Sequence, residues 1–513
     1  MAPPAPLAVR VAALRSHKAP AARVPGRPSP ARRHLGWMVA VALLAAGAAA
    51  AGIGARATYA ARTTSDEPQY LLTALSLGFD GDLDIADQLA EGANRPFHEI
   101  PVDPQTIARG ADGRQVSPHD PLFPVMLAIP MRLGGWVAAK AVLALLAGVT
   151  AGVAWWLAVA RFAVRPAVAG IVVAAASVGL PWAAYGSQVY PELPAALVVL
   201  GTFGALTSPA VRARQSALAV AGLVALPWLS VKYLPVGAVL GVGLLVRSAR
   251  RRRLRLVVLV VLVVAGLVYL ELHRRLYGGW TVYAAGDHFT ETGQLSVVGT
   301  RVDLLGRSRR LSGLLVDRDF GLVPWSPVWL VLPMAAGALA RRRPPGAALL
   351  LCTVGAGWLN ATFVALTMHG WWVPGRQVVV VLPLAAVAVA WLVDRVPLPV
   401  PAVVVAGLVG ASNWLWLAVE ASTGRRTLVI DFAATAAPAY RLVRPLFPDG
   451  MTASASSHVL LGIWTVVLLA VVVAGWRLPP VRSGEALTPT TDDRPPREAD
   501  GPTTAGRAVH RER

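Results

Sequence analysis

The chain has 513 residues, of which 55% are hydrophobic and only 15% carry a charge. Apolar runs long enough to cross a bilayer recur between Leu35 and Trp476, which excludes a soluble globular protein. The formal net charge of +20 comes from basic residues beside these runs, so it indicates membrane topology and not a nucleic-acid partner. Because helices satisfy their own backbone groups in lipid, we predict an all-α polytopic membrane protein.

Both ends of the chain have the composition of disordered tails. Residues 1–34 are rich in Ala, Pro and Arg and lack apolar periodicity, which predicts a disordered basic cytoplasmic tail. The following run, 35–53, has a signal peptide as its alternative, but the long basic leader and the many later runs favour an uncleaved first helix. Residues 477–513 are polar and Pro-rich and predict a second disordered cytoplasmic tail. The single cysteine, Cys352, excludes an intramolecular disulfide.

About twelve membrane spans are predicted between the tails, in a transmembrane domain covering 35–476. The first is 35–53, and the others fall near 136–158, 167–185, 192–207, 216–229, 233–246, 254–272, 322–339, 345–366, 377–393, 398–419 and 458–476. With a cytoplasmic N-terminus, every short basic cluster falls inside and the long loops 56–135, 273–321 and 420–457 fall outside. The abundance of Ala, Val, Arg and Pro is typical of a GC-rich bacterial genome. The sequence therefore predicts a multi-pass protein of the bacterial cytoplasmic (inner) membrane with both termini inside.

The first outer loop holds eleven Asp or Glu residues and short apolar pieces, such as Pro121–Pro130, that fit helices lying at the membrane interface. Asp66 and Glu67 are adjacent near its start. Neighbouring carboxylates repel one another, so such a pair indicates proton transfer or a cation site, with a solvated turn as the alternative. Because water is available after the first apolar run ends, we expect both carboxylates to be exposed.

Four more polar stretches fall on the predicted outer side of the membrane. They are Ser117–Pro124, Gln188–Pro194, Asp317–Leu322 and His369–Arg376. Together with the first stretch they supply the candidate site residues Tyr70, His119, Tyr190, Glu192, Asp317, Arg318, His369 and Trp372. Two cations, Lys232 and Arg376, each lie alone among apolar residues, and such costly residues usually face a cavity or a partner. Both suit a lipid-linked phosphate, which arginine can bind through two parallel hydrogen bonds.

Each pattern also has a structural alternative. Trp371 and Trp372 are typical interface anchors, and Glu192 is typical of a helix start, where the dipole favours an acid. The run Asp317-Arg318-Asp319 also fits a local ion-pair cluster, and His119 also fits a surface histidine.

One acidic segment imitates a calcium-binding loop. Asp80, Asp82 and Asp84 have the right spacing, and Glu91 stands at the twelfth place. Ile85, however, occupies the sixth place, where the loop needs glycine for its sharp turn. A hydrated acidic cap is therefore the preferred interpretation.

The order of these motifs resembles the glycosyltransferase C superfamily, in which a first span, an outer loop opening with Asp-Glu and interfacial helices precede a bundle of spans. The likeness is to bacterial polyprenyl-phosphate-sugar-dependent glycosyltransferases related to the protein mannosyltransferases and the aminoarabinose transferase. It is carried by Ser65–Tyr70, Ser117–Pro124, Tyr190–Pro194, Asp317–Leu322 and Trp372–Arg376. The resemblance implies a polyprenyl-phosphate sugar donor and a catalytic Asp in the first outer loop, which here is Asp66.

The leading hypothesis is therefore sugar transfer, with inversion, to a glycan, lipid or protein acceptor of the cell envelope at the outer membrane face. Asp66 is assigned as general base, with Glu67 orienting the acceptor, and Arg376, Lys232 and His119 as ligands of the donor phosphate. A divalent cation, Mg²⁺ or Mn²⁺, is an alternative role for Asp66, Glu67 and His119. The rival functions are a lipid or sugar transporter or flippase, and a non-catalytic membrane protein of envelope assembly.

Overall fold

The computed structural model describes residues 30–102, 105, 107–109, 113–210, 212–281, 303–365, 367–396, 400–452 and 454–479. Predictions for 1–29 and 480–513, which include most of both tails, lie outside the described residues, as does the part of the outer loop at 282–302. Residues 30–34, assigned to the disordered tail, instead begin the first helix, so that boundary was wrong.

Helices dominate the described residues. In chain order they are α1 Pro30–Ala50, α2 Glu67–Phe79, α3 Ala86–Ala90, α4 Leu122–Phe162, α5 Pro166–Ser177, α6 Trp182–Tyr185, α7 Glu192–Leu206, α8 Ala213–Leu229, α9 Leu234–Arg247, α10 Arg252–Tyr277, α11 Leu304–Ser308, α12 Arg310–Val316, α13 Leu322–Trp325, α14 Leu332–Arg342, α15 Ala347–Leu359, α16 Leu382–Arg395, α17 Val400–Ser422, α18 Pro438–Val443 and α19 Ala455–Arg477. Two short antiparallel strands, β1 Ile107–Arg109 and β2 Arg114–Val116, pair in the first outer loop with Ala108 opposite Gln115.

Membrane-spanning character is clear for five of the described helices. α4, α10, α17, α19 and the continuous helical segment Ala347–Val364 are long and apolar enough to cross a bilayer. Each of the other predicted spans also contains helix, but most of those helices are shorter, as α5, α7 and α8 illustrate. The protein is therefore helical and membrane-embedded, whereas the count of about twelve spans stays a prediction.

Proline and glycine explain where the helices depart from the predicted spans. The span predicted at 322–339 is broken into α13, a 3₁₀ turn at Pro327–Val331 and α14, because three prolines interrupt it. α4 is 41 residues long and contains non-helical backbone at Gly134 and Gly135. The part of α4 before these glycines covers most of Pro121–Pro130, the apolar piece predicted to lie at the interface. The part after them covers the span predicted at 136–158.

Small residues let the helices approach closely, as lipid-embedded helices require. A Cβ on Gly148 of α4 would lie 2.5 Å from the carbonyl oxygen of Ala42 in α1. Likewise, a Cβ on Gly78 of α2 would lie 2.9 Å from the carbonyl oxygen of Ala128, so α2 is held directly against the first part of α4. This contact lies at the C-terminal end of α2, the helix whose first residue, Glu67, belongs to the acidic pair.

Candidate active site

The acidic stretch turns sharply where α2 begins. Ser65 has a left-handed backbone with φ of 51°, and Pro68 stands in the first turn of the helix. Ser65 Oγ donates to the carbonyl of Trp371 at 3.2 Å, which ties this turn to the segment 368–376. Asp66 occupies the N-cap position, yet its carboxylate accepts no capping hydrogen bond from α2. The side chain therefore remains available for a partner elsewhere in the fold.

That partner is Arg376, which holds two carboxylates at once. Its Nη2 donates to Asp66 Oδ2 at 3.0 Å, and its Nε donates to Glu192 Oε1 at 2.8 Å. The same Glu192 oxygen accepts from Lys232 Nζ at 2.7 Å. Asp66, Glu192, Lys232 and Arg376 thus form one acid–base network with two charges of each sign. The side chain of Asp66 is 25% exposed and that of Lys232 is 22% exposed, whereas Glu192 and Arg376 are buried.

Both cations therefore have partners in the fold, as expected for charged residues among apolar sequence neighbours. Sequence neighbours of Lys232 and Arg376 are apolar, but Glu192 compensates both charges across the fold. Arg376 also lies over the ring of Tyr190, 3.9 Å from its centroid, and 5.2 Å from that of Trp372. Such cation–π contacts fix the plane of the guanidinium. Glu192 itself begins α7, as its helix-start interpretation required.

Asp66 is kept ionised by its surroundings. Burial raises the pKa of Asp66, but the charge and hydrogen bond of Arg376, together with the charge of Lys232, outweigh burial and bring the pKa below its ordinary value. A carboxylate held in this way is a weak proton acceptor while Arg376 remains its partner. Anything that draws the guanidinium towards another anion makes Asp66 more basic.

Glu67 lies beneath the site and is fully buried, which corrects the expectation of an exposed carboxylate. Its Oε2 accepts from the backbone N–H of Val189 at 2.9 Å, and its Oε1 from that of Thr64 at 3.4 Å. Burial raises the pKa of Glu67 above its ordinary value, with Lys140 acting in the opposite direction. These contacts join α2 to the segment before α7, so Glu67 is placed to support Asp66.

His119 approaches the network from the other end of the first outer loop. Its ring stacks on Tyr70 with centroids 4.5 Å apart, and Nε2 is buried without a partner among the described residues. Burial lowers the pKa of His119 below its usual range, although Asp66 and Asp120 act to raise it. The ring is therefore neutral at pH 7 and carries one buried nitrogen that a ligand can satisfy.

The stretch around His119 is anchored by α10, which sequence reasoning did not single out. Asp120 Oδ1 accepts from Tyr269 Oη at 2.8 Å and lies 2.9 Å from His273 Nε2, while Asp120 Oδ2 accepts from the backbone N–H of Val231 at 3.0 Å. Tyr277 Oη donates to the carbonyl of His119 at 2.9 Å. The available signal was the spacing of Tyr269, His273 and Tyr277, four residues apart at the outer end of an apolar helix.

Of the remaining predicted residues, Asp317 and His369 line a second pocket, and Arg318 is joined to it through Asp449. Asp317 is buried and faces His369 Nε2 at 3.3 Å, and Arg318 pairs with Asp449. The next acid, Asp319, pairs with Arg444 at 2.8 Å. The interpretation of 317–319 as a local ion-pair cluster was therefore wrong, because its charges pair with distant residues.

The described residues contain no group of three His, Cys, Asp or Glu side chains arranged to hold a metal ion. Asp66 faces Arg376 and Glu67 faces backbone N–H groups, so these two carboxylates and His119 do not converge on one cation position. In the calcium-like segment, Asp82 accepts from Ser76 and Asp84 accepts from the backbone of Ala86. These contacts cap turns, and the preferred interpretation of a hydrated acidic cap stays a prediction.

An apolar cavity of about 390 Å³ opens between α8, α9 and α10. Gly237, Gly241 and Gly266 line it together with larger apolar side chains. At one end it reaches Val231, which precedes Lys232 in the chain, and Tyr269, which contacts Asp120. We call this cavity the apolar groove. It joins lipid-exposed helix surface to the neighbourhood of the acid–base network.

The fold resembles that of ArnT. The crystal structure of ArnT from Cupriavidus metallidurans bound to undecaprenyl phosphate matches with a TM-score of 0.50 and 15% sequence identity, over 87% of this chain and 77% of that one. No protein-family model and no curated protein sequence matches this chain. At this identity the likeness concerns the fold alone. An ArnT-like membrane fold therefore carries the network, the apolar groove and the second pocket.

Proposed function

We propose that this protein is a membrane glycosyltransferase that moves a sugar from a polyprenyl-phosphate donor to a cell-envelope acceptor on the outer face of the bacterial cytoplasmic membrane. The observation that carries the proposal is the Asp66–Arg376 pair, 3.0 Å apart, in an ArnT-like fold beside an apolar groove. ArnT was crystallised with undecaprenyl phosphate, which is a lipid of the proposed donor class. The proposal includes about twelve spans, with the shorter apolar helices completing the count, and cytoplasmic termini.

The donor is proposed to bind with its prenyl chain in the apolar groove. Its phosphate then lies at Lys232 and Arg376, because the groove ends at Val231 and a charged head group needs a cation where the apolar lining stops. Tyr190 and Trp372 hold the planar guanidinium in one orientation for two parallel hydrogen bonds. His119 Nε2 supplies a further contact to the phosphate, which would satisfy its buried nitrogen.

Transfer is proposed to follow a single displacement with inversion. The acceptor oxygen attacks the anomeric carbon while its proton passes to Asp66, and the bond from that carbon to the phosphate oxygen breaks. The leaving phosphate keeps the electron pair, and Arg376 and Lys232 stabilise its charge. Donor binding also prepares the base, because a phosphate competes with Asp66 for Arg376 and thereby raises the pKa of Asp66 from its lowered value.

Asp66→Asn tests the proposal directly. The amide keeps the shape of the side chain but cannot accept the proton, so sugar transfer should fall roughly 100-fold or more while donor binding persists. Transfer would be followed with purified protein in nanodiscs, a labelled polyprenyl-phosphate-sugar pool and an envelope extract as acceptor. Asp87→Asn, at an exposed acid of the same loop, is the matched control.

Full transfer by Asp66→Asn would remove the base assignment. Movement of the labelled lipid across the membrane without any sugar transfer by the wild type would instead favour the flippase. A divalent cation remains part of the proposal only as an optional cofactor, and transfer measured with and without EDTA tests it.

A further inference from the structure

Two neighbouring loops at one end of the helix bundle carry a concentration of arginines. They connect α7 to α8 and α9 to α10, and Arg247 joins them by donating to the carbonyl of Ser208. Seven exposed arginines lie on these loops or in the first turns of α8 and α10: Arg212, Arg214, Arg250, Arg251, Arg252, Arg253 and Arg255. We call these seven residues the arginine patch.

The arginine patch lies at the opposite end of α10 from the acid–base network. α10 begins at Arg252, and the other end of the helix contacts Asp120 through Tyr269. At 1.5 Å per residue, Arg252 and Tyr269 are roughly 26 Å apart along the helix. The patch is therefore separate from the proposed site of transfer, and none of its residues takes part in the proposed chemistry.

The seven guanidinium groups have no ion pair, hydrogen bond or aromatic contact with any other described residue. Other arginines at this end of the bundle do have such contacts. Arg161 and Arg247 donate to backbone carbonyls at or just beyond the carboxyl end of α7, where the helix dipole favours a cation. Arg165 pairs with Asp394 at 2.6 Å. The arginines of the patch therefore differ from their neighbours in having no role in holding the fold together.

The sequence provides no counter-charge close to the patch. There is no Asp or Glu between Glu192 and Glu271, a stretch that contains α8, α9 and both loops. These two acids lie at the network end of the bundle, where other cations pair with them. Outside the described residues, 1–29 contain five basic residues and no acid, and 480–513 contain six arginines and six acids. A counter-charge for the patch therefore has to come from another molecule.

Exposed apolar side chains on the same helices indicate the depth of the patch. Val246, at the end of α9, is 70% exposed, and Leu256 and Val257 on α10 are 61% and 58% exposed. Because α10 is apolar enough to cross the membrane, these side chains are expected to face acyl chains. Arginines within a turn of them lie where the helices leave the hydrocarbon, at the level of the lipid head groups.

We propose that the arginine patch binds the head group of an anionic phospholipid in the adjoining leaflet. Its guanidinium groups would hold the phosphate by charge-assisted hydrogen bonds, with the acyl chains against Val246 and Leu256. Clusters of about four to eight basic residues beside a membrane helix attract anionic lipids in this way. The exposed apolar side chains favour a lipid over a soluble anion or a nucleic acid. The inference does not depend on sugar transfer.

Binding to the full-length protein in a neutral detergent tests this proposal. The probes are anionic dioctanoyl phosphatidylglycerol, zwitterionic dioctanoyl phosphatidylcholine, glycerol 3-phosphate and a single-stranded oligonucleotide. Affinities are measured by titration, and bound lipid is counted by native mass spectrometry. Arg251→Gln, Arg252→Gln and Arg253→Gln combined should weaken phosphatidylglycerol binding roughly 100-fold, since each arginine near an anionic surface contributes roughly fivefold. The same three positions changed to Lys keep their charge and should retain most of the affinity.

Two further variants test where the binding surface lies. Arg212→Gln and Arg214→Gln combined, on the other loop, should also weaken phosphatidylglycerol binding, by roughly 25-fold. Arg275→Gln, Arg425→Gln and Arg441→Gln combined remove three charges at exposed arginines outside the patch and should leave the affinity unchanged.

The outcomes separate the possible partners. Tight binding of phosphatidylglycerol that depends on both loops, with weak binding of the other three probes, supports the proposal. Equal affinity for glycerol 3-phosphate would overturn the lipid assignment in favour of a soluble anion. Tight binding of the oligonucleotide with weak binding of phosphatidylglycerol would overturn it in favour of a nucleic acid. Unchanged phosphatidylglycerol binding in the triple Gln variant, with a wild-type melting temperature, would overturn the site.

Discussion

Arg376 is the residue on which the candidate site depends most. It bonds to Asp66 and Glu192 and lies over Tyr190 and Trp372, so one side chain sets the relative positions of four others. A guanidinium can do this because its N–H groups donate hydrogen bonds in its plane, while its two flat faces remain free to stack on aromatic rings. Lysine offers neither the fork nor the faces.

We expect Arg376→Ala to weaken donor binding by about 1.5–3 kcal/mol, since a charge-assisted contact to the phosphate is lost. It should also lower the melting temperature, because Asp66 loses its ion pair and the buried Glu192 keeps only Lys232. Arg376→Lys should recover part of the donor binding. Titration with a polyprenyl phosphate and thermal unfolding would measure the two effects separately. A well-folded Arg376→Ala protein with wild-type donor affinity would exclude Arg376 from the phosphate site.

Glu67 behaves as a structural carboxylate despite its place in the acidic pair. Removing it leaves the buried N–H of Val189 without its acceptor. We therefore expect Glu67→Ala to lower the free energy of unfolding by about 1–3 kcal/mol, whereas Glu67→Gln keeps an acceptor oxygen and should cost less. Thermal unfolding in detergent is the measurement, with Glu91→Ala at an exposed position as the control. If Glu67→Ala melts like Glu91→Ala, the supporting role is wrong.

At the scale of elements, α8, α9 and α10 enclose the apolar groove, and α10 also anchors the first outer loop through Asp120. One helix therefore contacts both the proposed chain-binding surface and the stretch that carries His119. His273 and Tyr269 are buried at its outer end although most of the helix surface is exposed. Polar aromatic side chains at that depth fix the rotation of α10 because their hydrogen-bond partners are in the loop.

Filling the groove should block a prenyl chain without touching the acid–base network. A Cβ on Gly266 would meet no atom within 4 Å, so Gly266→Leu enters open space in the groove. We expect the KM for a long-chain donor to rise roughly 10-fold, because burial of about two methylene groups, at about 0.8 kcal/mol each, is lost. A short-chain donor should be affected less. Gly462→Leu, equally open but on α19, is the matched control. Equal effects of both variants would contradict the groove assignment.

At the scale of the whole molecule, the proposed chemistry needs the acidic loop and Arg376 on the outer side of the membrane. Single cysteines would be placed in a Cys352→Ser background at Glu91, Arg425 and Arg252, three exposed positions. In intact cells a membrane-impermeant thiol reagent should label the first two and not the third. Labelling at Arg252 alone would invert the topology and end the proposed mechanism.

Much of the helical framework was predictable because apolar length is a local property. Every predicted span contains helix, and the interruption of 322–339 could have been read from its prolines. The exposure of individual loop residues was not predictable in the same way. Glu67 was expected in water because the apolar run had ended, but α2 folds back against α4 and the segment before α7 covers it.

The sequence by itself determined that this is a helical membrane protein. It also predicted which loops lie outside, and it supplied residue types suited to binding a phosphate and accepting a proton. These follow from apolar runs, from basic clusters between them and from adjacent acids. Tertiary structure alone decided that Arg376 meets Asp66 across 310 residues and Glu192 across 184. It also separated Asp317 and His369 into a pocket of their own. The physical reason is that local periodicity specifies which segments form helices, whereas ion pairs between distant segments depend on how those helices pack.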